Sequence, residues 1–267
     1  ARESDEVGTE TGAAIAANLR EMNAGEGADY ACLTLDGEQQ ALARAVLETG
    51  TPVIVVLVQG RPHAVEELAE KCDALLSAWY PGTQGGDAVA EILTGICNPS
   101  GHLSISIPRS AAQLPVYYNY KSVNDYCDMS AVPLFPFGFG LSYTNFVFRD
   151  FRLGQDSIGI KELERGKTVQ VQVTIDNTGE RDGYAVAQLY IHAQRGSVTR
   201  RQRELKGFEK CWIPAGKSCT ATFTLDRETF RVFGSAGIWS LEPGPVDIYI
   251  GDSSMADNKV TLTIVED

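Results

Sequence analysis

The chain has 267 residues, a formal net charge of -12 and a pI near 4.8. With 43% hydrophobic and 22% charged residues it has the composition of a soluble globular protein, long enough for two moderate domains. The acidic balance argues against nucleic-acid partners, because binding a phosphate backbone depends on clustered Lys and Arg that release counterions. The one basic cluster, Arg195 to Arg203 with Lys206, is interrupted and followed by acid, and reads as a solvated strand edge. The longest apolar run, Pro52 to Val58, is too short to cross a bilayer, and Ala1-Arg2-Glu3-Ser4 lacks the form of a signal peptide, so no membrane contact is expected. Cys32, Cys72, Cys97, Cys127, Cys211 and Cys219 are widely spread, with no Cys-x-x-Cys pair and no nearby histidines. They read as buried thiols in a reducing environment, which favours a cytoplasmic over a secreted protein while leaving the compartment open, and no metal or cofactor is expected.

In chain order, one helix is expected from Gly12 to Met22. A second runs from Glu38 to Glu48, with Ala41, Leu42, Ala45 and Val46 on one face, and ends at Gly50-Thr51-Pro52. Val53 to Val58 is uninterrupted β-branched and aliphatic sequence, as expected of a strand covered on both faces of a parallel sheet. Gly60-Arg61-Pro62 turns the chain into a helix at Val65 to Lys71. Ala74 to Trp79 reads as another buried strand, Gly82 to Gly86 as a Gly-rich loop, and Asp87 to Leu93 as a third helix. Strand and helix alternate, which predicts an α/β layered domain with a mostly parallel sheet.

From Asn98 to Tyr143 the sequence turns to Pro, Gly and aromatic residues without regular period, as in a long ordered connector. Thr168 to Ile175 then alternates cleanly, Asn177-Thr178-Gly179 turns, and Ala185 to Ile191 alternates again. Further strands are expected at Thr220 to Leu225, Val246 to Ile250 and Val260 to Val265, so the second domain is predicted as an all-β sandwich of immunoglobulin or fibronectin type.

Several segments in register carry a resemblance: Pro52 to Pro62, Ala78 to Gly86, Asn98 to Gly101, Ile107 to Ser110, Leu114-Pro115, Tyr118 to Lys121 and Phe135 to Tyr143. Together they resemble the C-terminal α/β domain of family 3 glycoside hydrolases. Val173 to Gly179, Val186 to Tyr190, Ser197 to Arg200 and Glu204 to Phe208 are similar to the fibronectin III-like domain of β-glucosidases and β-xylosidases in that family. The resemblance divides the chain into an unmatched segment at 1–24, the α/β domain at 25–120, a connector at 121–145 and the fibronectin III-like domain at 146–267. It implies the C-terminal part of an exo-acting, retaining β-glycosidase, with β-glucosidase as the expected activity and a β-linked oligosaccharide or glycoside as substrate. The nucleophile would lie on a barrel domain, on the same or another chain, and oligomerisation is open. Without that barrel the chain is expected to be inactive.

Glycoside hydrolysis needs two carboxyl groups, one of them a proton donor of raised pKa. The resemblance implies one here: Gly25-Glu26-Gly27-Ala28-Asp29 precedes Leu33-Thr34-Leu35-Asp36-Gly37-Glu38-Gln39 in the register of the family's acid/base loop, making Glu26 the candidate general acid/base. Two departures stand beside it. Tyr30 occupies the place of a usual arginine, and no apolar strand is recognisable in Ala1 to Ala24. Gly82 to Gly86 could cradle an anion at a helix N-terminus, but it lacks a full dinucleotide fingerprint and a Walker lysine. His63, His102 and His192 stand apart and read as packing or surface residues, and Trp79-Tyr80 reads as packing at a strand end. The competing function is a noncatalytic scaffold or carbohydrate-associated module.

Overall fold

The computed structural model describes residues 31–120 and 124–267. The helix expected at Gly12 to Met22 lies outside them. In chain order the elements begin with α1 (Gln39–Leu47), β1 (Ile54–Leu57), α2 (Glu66–Lys71), β2 (Ala74–Ser77) and α3 (Gly85–Leu93). After the aromatic segment come β3 (Phe146–Leu153), β4 (Ser157–Gly159), α4 (Ile160–Glu164), β5 (Val169–Asn177), β6 (Gly183–Ala193), β7 (Glu204–Ile213) and β8 (Ser218–Leu225). The chain closes with α5 (Arg227–Phe230), β9 (Val232–Phe233), β10 (Trp239–Ser240), β11 (Gly244–Gly251) and β12 (Lys259–Val265). Two compact units result: residues 1–91 with 107–115, and residues 92–106 with 116–267.

In the first unit β1 and β2 pair in parallel, Ile54 opposite Ala74 through Leu57 opposite Ser77. Among the described residues this two-stranded ribbon is the whole of its sheet. Of the expected mostly parallel layer, the described residues thus show this one parallel pair, and the sheets of the second unit are antiparallel apart from the pairing of β12 with β4. β1 is not covered on both faces, since Ile54 is 52% exposed and Val58, just beyond the strand, 55%. Nor does α1 bury its apolar stripe, with Leu42 65% exposed and no buried residue along the helix. Polar contacts fasten it instead: Arg44 pairs with Glu67 of α2 at 2.7 Å, Gln40 donates to the same carboxylate at 3.2 Å, and Lys71 meets it at 2.9 Å. Hydrogen bonds from Arg44 and Lys71 hold the Glu67 carboxyl down at about 2.

The second unit is built on a sandwich. Its larger sheet has the order β4-β12-β11-β6-β7, and β3-β5-β8 forms the smaller one. Alternation in β5 sends Val169, Val171, Val173 and Ile175 inward, where they are essentially inaccessible. They meet Ala187, Leu189, Ile213, Ile248, Ile250 and Leu262 in one continuous apolar core. Burying side chains of this size is worth roughly 1.5–3 kcal/mol each relative to exposure, so this cluster dominates the unit's stability.

β6 breaks the alternation, with Gln188 through Ile191 all buried. The aromatic segment explains it by covering the outward face. Tyr118 stacks on Phe137 with centroids 4.2 Å apart and meets the Tyr190 ring edge-on at 6.2 Å. Gln188 Nε2 donates to the Gly138 carbonyl at 3.0 Å and to the Asp252 carbonyl at 2.6 Å, while the Tyr190 hydroxyl donates to Gln188 Oε1. Asn98 extends the same attachment, accepting from Ser142 Oγ at 2.9 Å and Tyr143 N at 2.8 Å and donating to the Asp182 carbonyl at 2.9 Å.

The basic cluster falls mostly on the largely exposed loop between β6 and β7, with Lys206 on the edge strand β7, and Arg200 and Arg203 are half-buried. Arg200 and Glu242 form an ion pair whose side chains are 10% and 19% exposed. The Arg203 guanidinium lies 3.5 Å above the Tyr249 ring. Arg201 donates to Asn119 Oδ1 at 3.2 Å. Each of these arginines ties down a neighbouring segment.

Gly138 combines φ +82° with a backbone against which a Cβ would collide with Gln188 Oε1. We expect Gly138→Ala to destabilise the second unit by about 2–4 kcal/mol, from left-handed strain and local overpacking. Gly86→Ala, in α3 with open space at the Cβ position, should cost nothing measurable. Chemical denaturation of the two variants followed by circular dichroism checks the contrast.

Candidate functional site

The carboxyl ends of parallel strands in α/β layers are where such sheets place their functional groups. Here the ends of β1 and β2 carry an internal polar chain. Gln59, 3% exposed, donates from Nε2 to Ser77 Oγ at 3.2 Å, and its Oε1 lies 2.7 Å from Nδ1 of His63, which is 2% exposed. Gly60-Arg61-Pro62 turns the chain back so that His63 sits beneath the end of β1. The segment at Leu33 to Gly37 crosses the same end. Ala64 N donates to the Leu33 carbonyl at 2.8 Å, and Arg61 Nη2 donates to the Cys32 carbonyl at 3.1 Å. A cavity of about 40 Å³ remains between them, lined by Leu35, Asp36, Gln39, Leu57, Val58, Gln59 and His63. Burial, and then the charge of Arg61, hold the His63 pKa below its usual value, against a smaller opposing pull from Asp36.

Beside this chain, Trp79 closes β2 with φ 51°, and its carbonyl accepts from Gln59 N at 3.2 Å. Tyr80 is 63% exposed. The glycine loop has a packing role: Gly82 turns at φ +74°, Gly85 N donates to the Gly82 carbonyl at 3.1 Å, and a Cβ on Gly85 would stand 2.5 Å from Pro81 Cγ. Asp87 stands in the first turn of α3, where its negative charge works against an anion at the helix N-terminus.

Glu26, the sequence-derived acid/base candidate, lies outside the described residues. Of the three histidines, His102 bonds the Gly138 carbonyl and His192 approaches the Arg201 carbonyl at 2.7 Å. The expectation of buried thiols holds for Cys211 alone: Cys72 and Cys219 are half-buried, and Cys32, Cys97 and Cys127 are exposed. All six are unpaired. Burial, with Cys219 as the neighbouring thiol, pushes the Cys211 thiol up to about 12 and leaves it a poor nucleophile. Among the described residues no group of three His, Cys, Asp or Glu is placed to hold a metal, and no helix is long and apolar enough to cross a membrane.

Sequence reading missed Gln59 as the partner of His63, Ser77 as the partner of Gln59, and Asp36 as a charge beside the ring. A polar Gln59 directly after six apolar residues was the one available signal.

With this architecture in place, comparison with known proteins settles the class. Residues 3–143 match the glycosyl hydrolase family 3 C-terminal domain, and residues 185–254 match the fibronectin type III-like domain. The first match takes in residues 3–24 of the segment that sequence inspection left unmatched. The chain belongs to glycosyl hydrolase family 3. It is 37% identical to a periplasmic β-glucosidase of Salmonella typhimurium over 83% of this chain and 30% of that one. A β-xylosidase of Formosa agariphila is 38% identical over 90% of this chain and 33% of the relative. Among solved structures, a β-glucosidase from Listeria innocua superposes with TM-score 0.83 at 35% identity, covering 90% of this chain and 34% of the other. One from Erythrobacter marinus gives 0.85 at 35%, covering 96% and 36%. The chain thus spans about a third of the length of the relatives it matches.

The His63 environment gives a direct expectation. Because its folded pKa is depressed, the neutral ring is the form the fold favours. This contributes stability above the unfolded pKa of about 6.5 that is lost as pH falls through the lower folded value. NMR titration of the imidazole should give a midpoint below about 6.5.

Proposed function

We propose that the chain is the C-terminal part of an exo-acting β-glycosidase, most simply a β-glucosidase, that hydrolyses O-glycosidic bonds with retention. In this reading Glu26 is the general acid/base, a barrel domain on the same or another chain carries the nucleophile, and the chain is inactive without it. The observation that carries the reading is the coverage: relatives named as β-glucosidases and β-xylosidases match nearly all of this chain with a third of their own length. The open α/β unit supports it. Parallel ribbons are normally covered on both faces, and the exposed Leu42, Ile54 and Val58 offer apolar surface for such a cover. β-Xyloside is the second substrate to test, because β-xylosidases stand among the relatives at equal identity. Six unpaired cysteines, three of them exposed, favour a reducing compartment such as the cytoplasm.

The assignment of Glu26 rests on its register with the family's loop. Joined to the barrel portion of the periplasmic relative, the chain is expected to restore cleavage of aryl β-glucosides. Glu26→Gln should then reduce kcat/KM for a poorly activated leaving group by about 10²–10⁴-fold, and should spare the first step with a dinitrophenyl leaving group that needs no proton. Equal rates for Glu26→Gln and the parent on both substrates would remove Glu26 from the mechanism.

A further inference from the structure

The small cavity at the end of β1 poses a hydrogen-bonding problem of its own. As described, Nδ1 of His63 faces the carbonyl oxygen of Gln59, whose amide nitrogen is turned to Ser77, so Nδ1 carries the proton and Nε2 presents a lone pair. That Nε2 atom is buried without a protein partner, and so is Oδ2 of Asp36. Both residues line the same cavity. Two acceptors cannot bond one another. Each unmatched buried acceptor costs about 1–3 kcal/mol, which makes a guest that satisfies both strongly favoured.

The guest must bring two hydrogens or a positive charge. Charge is disfavoured, because Arg61 already acts on the His63 ring as its stronger electrostatic neighbour. Its space, about 40 Å³, exceeds the roughly 10–15 Å³ that one water needs. We propose that the cavity is a structural water site in which one molecule donates both hydrogens, to Asp36 Oδ2 and to His63 Nε2. The water completes a chain from Asp36 through His63 and Gln59 to Ser77, and so ties the Leu33 to Gly37 segment to the ends of both parallel strands. The bonds to the Leu33 and Cys32 carbonyls hold the adjoining residues, which makes the water the third fastening of that segment.

Protonating His63 turns Nε2 from acceptor to donor, and the same water would then accept from the ring while still donating to Asp36 Oδ2, so the bridge persists with one bond reversed. The charged groups facing the ring are Arg61 from its own turn and Asp36 from the crossing segment; β1, β2 and α1 contribute the neutral Gln59, Ser77 and Gln39. The inference is independent of the role of Glu26.

The test uses the whole 267-residue chain labelled with ¹⁵N. Long-range ¹H–¹⁵N correlation near neutral pH should show His63 as the Nδ1–H tautomer, with a cross-peak from a bound water to the residues lining the cavity. Asp36→Ala should raise amide hydrogen exchange at Thr34 to Gly37 about tenfold, the equivalent of one lost hydrogen bond, while Asp36→Asn, which keeps a carbonyl acceptor, should restore most of the protection. Millimolar ammonium or zinc should leave the His63 signals in place. An Nε2–H tautomer overturns the proposal, because the ring then supplies a hydrogen where the water was assigned to donate one. So do the expected tautomer without a bound-water signal, and a shift on adding either cation, which would assign the cavity to an ion.

Discussion

The amide of Gln188 is the contact on which the second unit turns. It sits on the outer face of β6, where a strand of a two-layer sandwich ordinarily meets solvent, and it spends both of its amide hydrogens on the carbonyls of Gly138 and Asp252. Its oxygen takes the Tyr190 hydroxyl. A buried primary amide is tolerated only when its donors and acceptor are matched, so this one residue demands that the aromatic segment lie against the sheet at one height. Gly138 must then turn with positive φ and carry no side chain, and Tyr118 and Phe137 stack beside it over Tyr190. The segment that looks like a connector in one dimension is thereby a third layer on the sandwich.

The first unit is held by different means. Its described sheet is a parallel ribbon, and its first helix is attached through Glu67 with Arg44, Gln40 and Lys71 while its apolar side chains stay exposed. Exposed ion pairs of this kind contribute little individually. The contrast is consistent with a family in which the chain accounts for a third of the protein: the sandwich closes its own core, whereas the α/β unit leaves apolar surface open.

The polar chain from His63 through Gln59 to Ser77 gives the α/β unit a specific internal contact. It joins elements distant in sequence at the strand ends, and it uses a histidine whose neutral form the burial itself selects. The arginines of the loop between β6 and β7 do comparable work in the sandwich, converting what looks like a charged surface stretch into a set of internal ties.

Local sequence determined much of this protein. The period of two in β5 and the apolar runs of β1 and β2 mark those strands, because side-chain alternation and β-branched composition are properties of neighbouring residues. The ordered motifs from Pro52 to Tyr143 likewise carried the family on sequence alone. Tertiary structure decided the rest. Whether Leu42 and Ile54 are covered depends on elements elsewhere in the chain or beyond it, and no periodicity records that. That Tyr190 is buried on an outward face depends on Tyr118 and Phe137, more than fifty residues away. The meeting of Asp36, Gln59, His63 and Ser77 at two strand ends is likewise set by strand register and the Gly60 turn, since hydrogen bonds between distant side chains leave no local pattern in the residues that form them.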